Sequence, residues 1–237
     1  MGWTSDRYLE FAVGPQLLAL WDLAHFLRSI ATDQNVAMGP NCLALDYGAG
    51  PTVLSRLFSK VSGYRVLAAV QPEFLTLLET PPQLPNWIVS PEIGITAIYD
   101  KILESSEQFE FIFSYACFHE FPDPASELKR LHRLLKPRGS VVIVDTLRNA
   151  KRSLAKSLRE EPVNSVIRSA IMETFDASLD MSELVSLKTA APFDISVDIL
   201  DIPEDIYLES RLSWQDGMPS MAVDDVPGSC FCLTFKR

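Results

Sequence analysis

Three stretches of the 237-residue chain place reactive or ligand-facing residue types where chemistry can use them. The first is a short apolar run, Cys42 to Asp46, that stops on a carboxylate and enters Tyr47-Gly48-Ala49-Gly50-Pro51-Thr52. Glycine lets the backbone approach a bound group closely, and the N–H groups opening the next helix suit a carboxylate or a phosphate. The second is Ala116-Cys117-Phe118-His119-Glu120-Phe121-Pro122-Asp123-Pro124, just past another apolar strand. Imidazole titrates near enough to neutrality to take a hydroxyl proton, which makes His119 the first candidate for a general base. A histidine that only hydrogen-bonds its own loop, or flanks a ligand, fits the same position. The third is Leu134-Leu135-Lys136-Pro137-Arg138-Gly139, a helix end that runs into an apolar strand.

The elements that must hold these stretches alternate along the chain. Apolar residues at helical spacing between Tyr8 and Ile30, including Trp21 and Leu27, predict one or two amphipathic helices, divided near Gly14 and Pro15. The strand Cys42 to Asp46 is followed by a helix opening at Pro51 and Thr52, with Val53, Leu54, Leu57 and Phe58 on its buried side. Arg65 to Val70 reads as a second buried strand, Gln71-Pro72 as a turn and Glu73 to Leu78 as a helix. The third strand is either Trp87 to Val89 or Ile95 to Tyr99. Phe109 to Tyr115 is the fourth; Asp123 caps a helix running to Leu135, and Ser140 to Asp145 is the fifth. Residues 148–190 have a helical pattern too long for a simple connection, so an inserted lid or substrate wall is expected. Ile195 to Leu200 and Ser229 to Phe235 are β-rich, joined by a long acidic segment containing Trp214 and Asp216.

In this order the motifs resemble those of the class I S-adenosylmethionine-dependent methyltransferases over about a hundred residues. Asp46, Gly48 and Gly50 match that family's D-x-G-x-G-x-G turn. Thr52 stands at the last glycine, as in the G-x-G-P-T turn of the amine N-methyltransferases. The loop around His119 is similar to the family's a-x-x-H-x-h-p-d-p, and Leu134 to Gly139 to its L-K-P-G-G, with Arg138 for the first glycine. The resemblance implies a single α/β domain: a Rossmann-like, seven-stranded, mostly parallel sheet flanked by helices, its last strand antiparallel, with a helical cap. Within it, 1–38 would be the N-terminal helical cap, 42–147 the cofactor-binding core, 148–190 the helical insertion and 191–237 the C-terminal strands.

The same resemblance implies S-adenosylmethionine as cofactor and S-adenosylhomocysteine as product. Asp46 would steady the turn formed with Gly48, Ala49 and Gly50 and the cofactor's amino-acid end, and the carbonyls near Ser114 and Tyr115 would face its ammonium, although core packing explains Tyr115 nearly as well. Gln71, beside Pro72, stands where the family has an acidic residue for the ribose hydroxyls, and an amide lacks the charge-assisted strength of a carboxylate. Asp100 would reach the adenine if Ile95 to Tyr99 is the third strand; otherwise it is a solvated loop carboxylate. Tyr8, Trp21 and His25 would cover the cofactor from the N-terminal helix, although an aromatic stripe at this spacing also suits a core. A nicotinamide cofactor fits poorly, since its G-x-G-x-x-G turn needs glycine where Val53 stands and an acid where Gln71 stands.

Composition narrows the partners. Asp and Glu number 31 against 21 Lys and Arg, and the formal charge of -10 repels a phosphate backbone, so no nucleic-acid partner is expected. Apolar runs such as Val141 to Val144 fall far short of the roughly 20 residues that span a bilayer. With Asp6 and Glu10 near the start there is no secretory pattern, and the cytoplasm is the expected compartment. Four scattered cysteines without a C-x-x-C pair, and three histidines, predict buried thiols and no metal site. His132, between Arg130 and Arg133, reads as a surface residue, and Cys230 and Cys232 as neighbours on one strand face. The function expected is methyl transfer to a small molecule, at oxygen or nitrogen. One rival keeps the cofactor fold for a cyclase or pericyclase-like reaction, or as a scaffold. Another methylates protein or tRNA through a basic run such as Arg148, Lys151, Arg152 and Lys156.

Overall fold

The computed structural model describes residues 17–70, 94–98, 108–148, 173–174, 176–200, 212–215, 218–221 and 230–237, with backbone alone for 94–98, 212–215 and 218–221. In chain order the elements are α1 (Leu17–Asp33), β1 (Leu43–Tyr47), α2 (Val53–Ser62), β2 (Arg65–Val70), β3 (Gly94–Ile98), β4 (Phe109–Tyr115), α3 (Pro124–Leu134), β5 (Leu135–Thr146), α4 (Met181–Ala190), β6 (Ile195–Leu200), β7 (Leu212–Gln215), β8 (Met218–Met221) and β9 (Cys230–Lys236). One sheet has the order β3-β2-β1-β4-β5-β9-β6, and β7 pairs with β8 apart from it. Strands β1 to β5 pair in parallel, whereas β9 runs antiparallel to both β5 and β6.

The near-continuous apolar runs of β1, β4 and β5 are explained by cover on both faces. Because side chains alternate along a strand, Phe111, Phe113, Val142 and Val144 join Leu20, Leu27, Leu57 and Phe58 of α1 and α2 in one core. Their neighbours Ile112, Val141 and Ile143 join Leu128 and Leu131 of α3 and Leu184 of α4 in the other. Gln34, just past α1, takes a hydrogen bond from the Ser140 hydroxyl, and its carbonyl takes one from Lys236 at 3.0 Å. The end of α1 therefore lies at the start of β5, so its first turns lie toward the carboxyl edge of the sheet. No helix among the described residues is long and apolar enough to cross a membrane.

Several boundaries differ from expectation for identifiable reasons. Helix α1 is continuous from Leu17, and 8–16 lies outside the described residues. Helix α2 begins at Val53, one residue past Thr52, which adopts a left-handed φ of 62°. The third strand is the later candidate, Gly94–Ile98. His132 is half-buried and stacks on Phe193 with ring centroids 4.4 Å apart, because Phe193 lies in the connection leading into β6. Cys230 and Cys232 are buried and all four cysteines are free. The insertion at 148–190 is described only at its ends; α4 there packs on α3 and β6. The β7–β8 pair falls in the acidic segment that had no strand expectation.

The largest difference is in β5, which starts at Leu135 rather than Ser140. Leu135 pairs with Phe109 and Ser140 with Phe111, so Lys136 to Gly139 form a bulge with three extra residues on β5. Arg138 has φ 65°, and a Cβ at Gly139 would lie 2.9 Å from the carbonyl oxygens of Lys136 and Phe109. The exposed Arg138→Gly change is therefore expected to stabilise by about 0.5–1 kcal/mol, relief of left-handed strain outweighing lost chain stiffness. Gly139→Ala must push backbone apart and is expected to cost about 1–3 kcal/mol. Thermal unfolding of the two variants checks both signs.

Candidate functional site

In an open α/β sheet a ligand crevice forms outside the carboxyl ends of the strands, where the strand order reverses. That reversal lies between β1 and β4, neighbours in register from Ala44 opposite Phe111 to Asp46 opposite Phe113. The turn after β1 and the loop after β4 thus leave the same edge side by side.

The β1 turn is held to the end of β2 by two hydrogen bonds to one carbonyl: the N–H groups of Gly48 and Ala49 donate to Ala69 O at 3.1 and 2.9 Å. Gly48, Gly50 and Thr52 have φ of 92°, 47° and 62°. Every position at which the D-x-G-x-G-x-G pattern asks for glycine is therefore left-handed, and Thr52 tolerates what glycine would adopt freely. Thr52 is buried, and among the described residues its hydroxyl has no partner. Asp46 is 1% exposed and accepts a hydrogen bond from the Ser55 hydroxyl of α2 at 2.6 Å. Burial pushes its carboxyl up to about 7, the Ser55 bond only partly opposing this. Asp46 thus braces α2 against β1 as well as lying under the turn.

The loop after β4 turns through Ala116, whose φ is 48° and whose N–H donates to Val144 O at 3.0 Å. A single 3-10 turn, Phe118–Glu120, follows, anchored by fully buried Phe118. It places His119 against the end of β5. His119 Nδ1 lies 2.9 and 3.1 Å from the two oxygens of Asp145, and the His119 N–H donates to Asp145 Oδ2 at 2.9 Å. The two side chains are 7% and 0% exposed. Burial alone would lower the imidazole's proton affinity, but the charge and hydrogen bond of Asp145, with the charge of Glu120, raise it above the ordinary value. Ser114, opposite Ile143, faces the same side of the sheet as Asp145, and its buried hydroxyl has no described partner.

Other groups brace or flank this edge. Tyr47 donates its hydroxyl to Glu127, buried in the first turn of α3, and stacks on Phe121 at 5.3 Å. Asp123 caps that helix, accepting from Ser126 N at 3.0 Å. Trp21 and His25 lie in the early turns of α1, edge to face at 4.8 Å, and His25 Nε2 is buried without a described partner. Tyr115 packs on the core beneath α1. Tyr8, Gln71, Pro72 and Asp100 lie outside the described residues. Asp46, Gly48, Ala49, Gly50, Ser114, Tyr115 and His119 therefore come to the two neighbouring loops; sequence reasoning missed Asp145 and Ser55, and it read Thr52 only as the residue at the turn's last glycine position, not for its buried hydroxyl. Asp145 carried a usable signal: Val141 to Asp145, like Cys42 to Asp46, is an apolar run that stops on a carboxylate.

A methyltransferase domain family model matches residues 43–178, more than half of the chain and spanning both loops. The chain belongs to the methyltransferase domain family. No curated protein matches this methyltransferase by sequence. Among solved structures, the plantazolicin methyltransferase BpumL, in complex with a monoazolic desmethylPZN analogue and SAH, has a TM-score of 0.66 at 14% identity, with 98% of this chain and 88% of that chain covered. The plantazolicin methyltransferase BamL gives 0.61 at 17% identity, covering 98% and 89%. A SAM-dependent methyltransferase from Aquifex aeolicus gives 0.54 at 16%, covering 99% and 98%. At these identities the structures share the fold. Family and motifs together make the methyltransferase an enzyme of the class I type, whose cofactor is S-adenosylmethionine. The described residues fit that group: a left-handed turn at the switch point, with two buried hydroxyls, Thr52 and Ser114, lacking a described partner on either side.

Proposed function

We propose that the methyltransferase acts on a small organic acceptor, at oxygen or nitrogen, with His119 as general base. One observation carries this reading: on the loop beside the glycine turn, a buried imidazole has one nitrogen held by a buried carboxylate, and its other nitrogen bonds no described residue. A base is needed only when the acceptor arrives protonated. The cofactor, when bound, supplies a sulfonium-activated methyl group whose bond to sulfur breaks with its electron pair returning to sulfur.

The protein's part is to hold and to orient. Gly48, Ala49 and Gly50 would offer backbone to the cofactor, with Asp46 and the strand end at Ser114 and Tyr115 around its amino-acid end. Gln71 and Pro72 would meet the ribose and Asp100 the adenine, while Tyr8, Trp21 and His25 would cover the site from the N-terminal side. Alignment of reactants is worth up to about 7–11 kcal/mol in favourable intramolecular cases, against about 10²–10⁴-fold for a general base. Positioning is thus the larger share, and His119 adds to it.

The net charge of -10 supports a small acceptor over RNA. The crystallised pairing of BpumL with desmethylPZN analogues and SAH supports an organic acceptor on this fold. Four free cysteines suit the reducing cytoplasm as the place of action. Incubation with methyl-labelled S-adenosylmethionine and fractionated cell extract tests the acceptor class. Label is expected in the small-molecule fraction; label confined to tRNA or protein contradicts the proposal.

Asp46 gives this site a pH dependence with a definite sign. Its carboxyl, raised to about 7, holds its proton in the free protein well above the ordinary carboxylate range. A cationic cofactor favours the ionised form, so affinity is expected to rise between about pH 6 and about pH 8, with proton release on binding. The same shift makes the stability of the free protein fall as pH rises from the ordinary carboxylate range through about 7. Calorimetry in buffers of different ionisation enthalpy counts the proton, and Asp46→Asn is expected to abolish its release.

A further inference from the structure

The last buried carboxylate of β5 has no role in the family resemblance. Asp145 is 1% exposed, and donors surround it: His119 N at 2.9 Å, Thr146 N at 2.7 Å and the Thr146 hydroxyl at 3.4 Å, besides the His119 ring. Two backbone N–H groups that can only donate thus already point at its oxygens. An environment of donors favours an acceptor-only carboxylate, so the ring nitrogen facing it must itself be N–H. If Nδ1 were the lone-pair nitrogen, it would stand 2.9 and 3.1 Å from two oxygen acceptors with no proton between them.

We propose that Asp145 is a positioning residue: it fixes the neutral His119 ring as the Nδ1–H tautomer, so that Nε2 is the atom that takes the acceptor's proton. The proposal rests on His119 being the base. In the step, the acceptor's O–H or N–H bond breaks, its proton bonds to Nε2, and its electron pair stays on the acceptor atom, where it forms the new bond to the transferred methyl carbon; the resulting imidazolium is balanced by the Asp145 carboxylate, and water later removes the proton. The raised proton affinity of His119 agrees with this arrangement. An oriented ring matters because His119 sits on a single 3-10 turn of three residues, and among the described residues its side chain bonds only to Asp145.

The tautomer is measurable without any acceptor. The chain has only three histidines, so long-range ¹H–¹⁵N spectra of the imidazoles contain three ring systems, and His119→Gln assigns one of them. Above its titration midpoint, wild-type His119 is expected to show a protonated, pyrrole-type Nδ1 and a pyridine-type Nε2, with a midpoint above the roughly 6.5 of free histidine. Asp145→Asn is expected to mix or invert the tautomers and to lower the midpoint. Asp145→Glu, which keeps the carboxylate, is expected to retain the Nδ1–H form at least in part. A wild-type ring with Nε2–H overturns the proposal with no variant needed, as does an Asp145→Asn protein, folded by its backbone spectrum, whose His119 tautomer and midpoint are unchanged. If instead the wild-type spectrum is as expected but His119→Gln methylates at the wild-type rate, the base reading has failed while the tautomer assignment stands.

Discussion

Replacing His119 with glutamine is expected to lower the turnover number for methyl transfer by about 10²–10⁴-fold while changing S-adenosylhomocysteine affinity by less than about threefold. Glutamine keeps a polar side chain of similar reach, able to donate to Asp145, but has no nitrogen lone pair to take a proton. The affinity should survive because the turn that would hold the cofactor belongs to β1 and α2, whereas His119 is held by β5. In the wild type, the rate should rise with pH through the raised His119 midpoint, since only the neutral ring accepts a proton. The glutamine variant should lose this limb. A variant with unchanged turnover and an unchanged pH profile would remove His119 from the chemistry.

Gly48→Val is expected to do the reverse, weakening S-adenosylhomocysteine binding by at least about tenfold. Gly48 has φ 92°, outside the range of a β-branched residue. Left-handed strain of roughly 1–2 kcal/mol per residue corresponds to about 5–30-fold in an equilibrium if the turn relaxes out of its bound shape. A side chain there would also stand between the backbone and a closely approaching cofactor. Gly63→Ala is the control: Gly63 has φ 76° at the far end of α2, with nothing within 4 Å of its missing Cβ. It should lose stability yet bind normally. Equal affinities for wild type and Gly48→Val would show that the turn does not approach the cofactor.

The contrast between these two variants reflects what the sequence could and could not display. The sheet was legible because its strands are unbroken apolar runs and its turns carry glycine, proline and capping residues: Arg65–Val70 and Phe109–Tyr115 match the observed strands at both ends. Asp123 and Pro124 likewise start α3 where capping chemistry puts them. Such signals are local. The bulge at Lys136 to Gly139 was not legible, because it depends on the β4 carbonyls that Gly139 packs against, supplied by residues about thirty positions earlier. Nor was the partner of His119, since Asp145 lies 26 residues further on and meets it only when β4 and β5 pair. His132 misled for a similar reason: between two arginines it reads as surface, but Phe193, brought in by β6, covers it. Residue type named the candidate base, and the fold alone paired it with the carboxylate that ends the apolar run of β5.

We expect the edge between β1 and β4 to receive an adenosyl amino acid. Calorimetric titration of the purified chain with S-adenosylhomocysteine tests it most directly, because it needs no acceptor. One molecule bound per chain is predicted, with affinity lost in Gly48→Val and retained in His119→Gln. No heat of binding by the folded wild-type protein at any pH between about 6 and about 8, the range in which Asp46 ionises, would mean that this edge holds no such ligand.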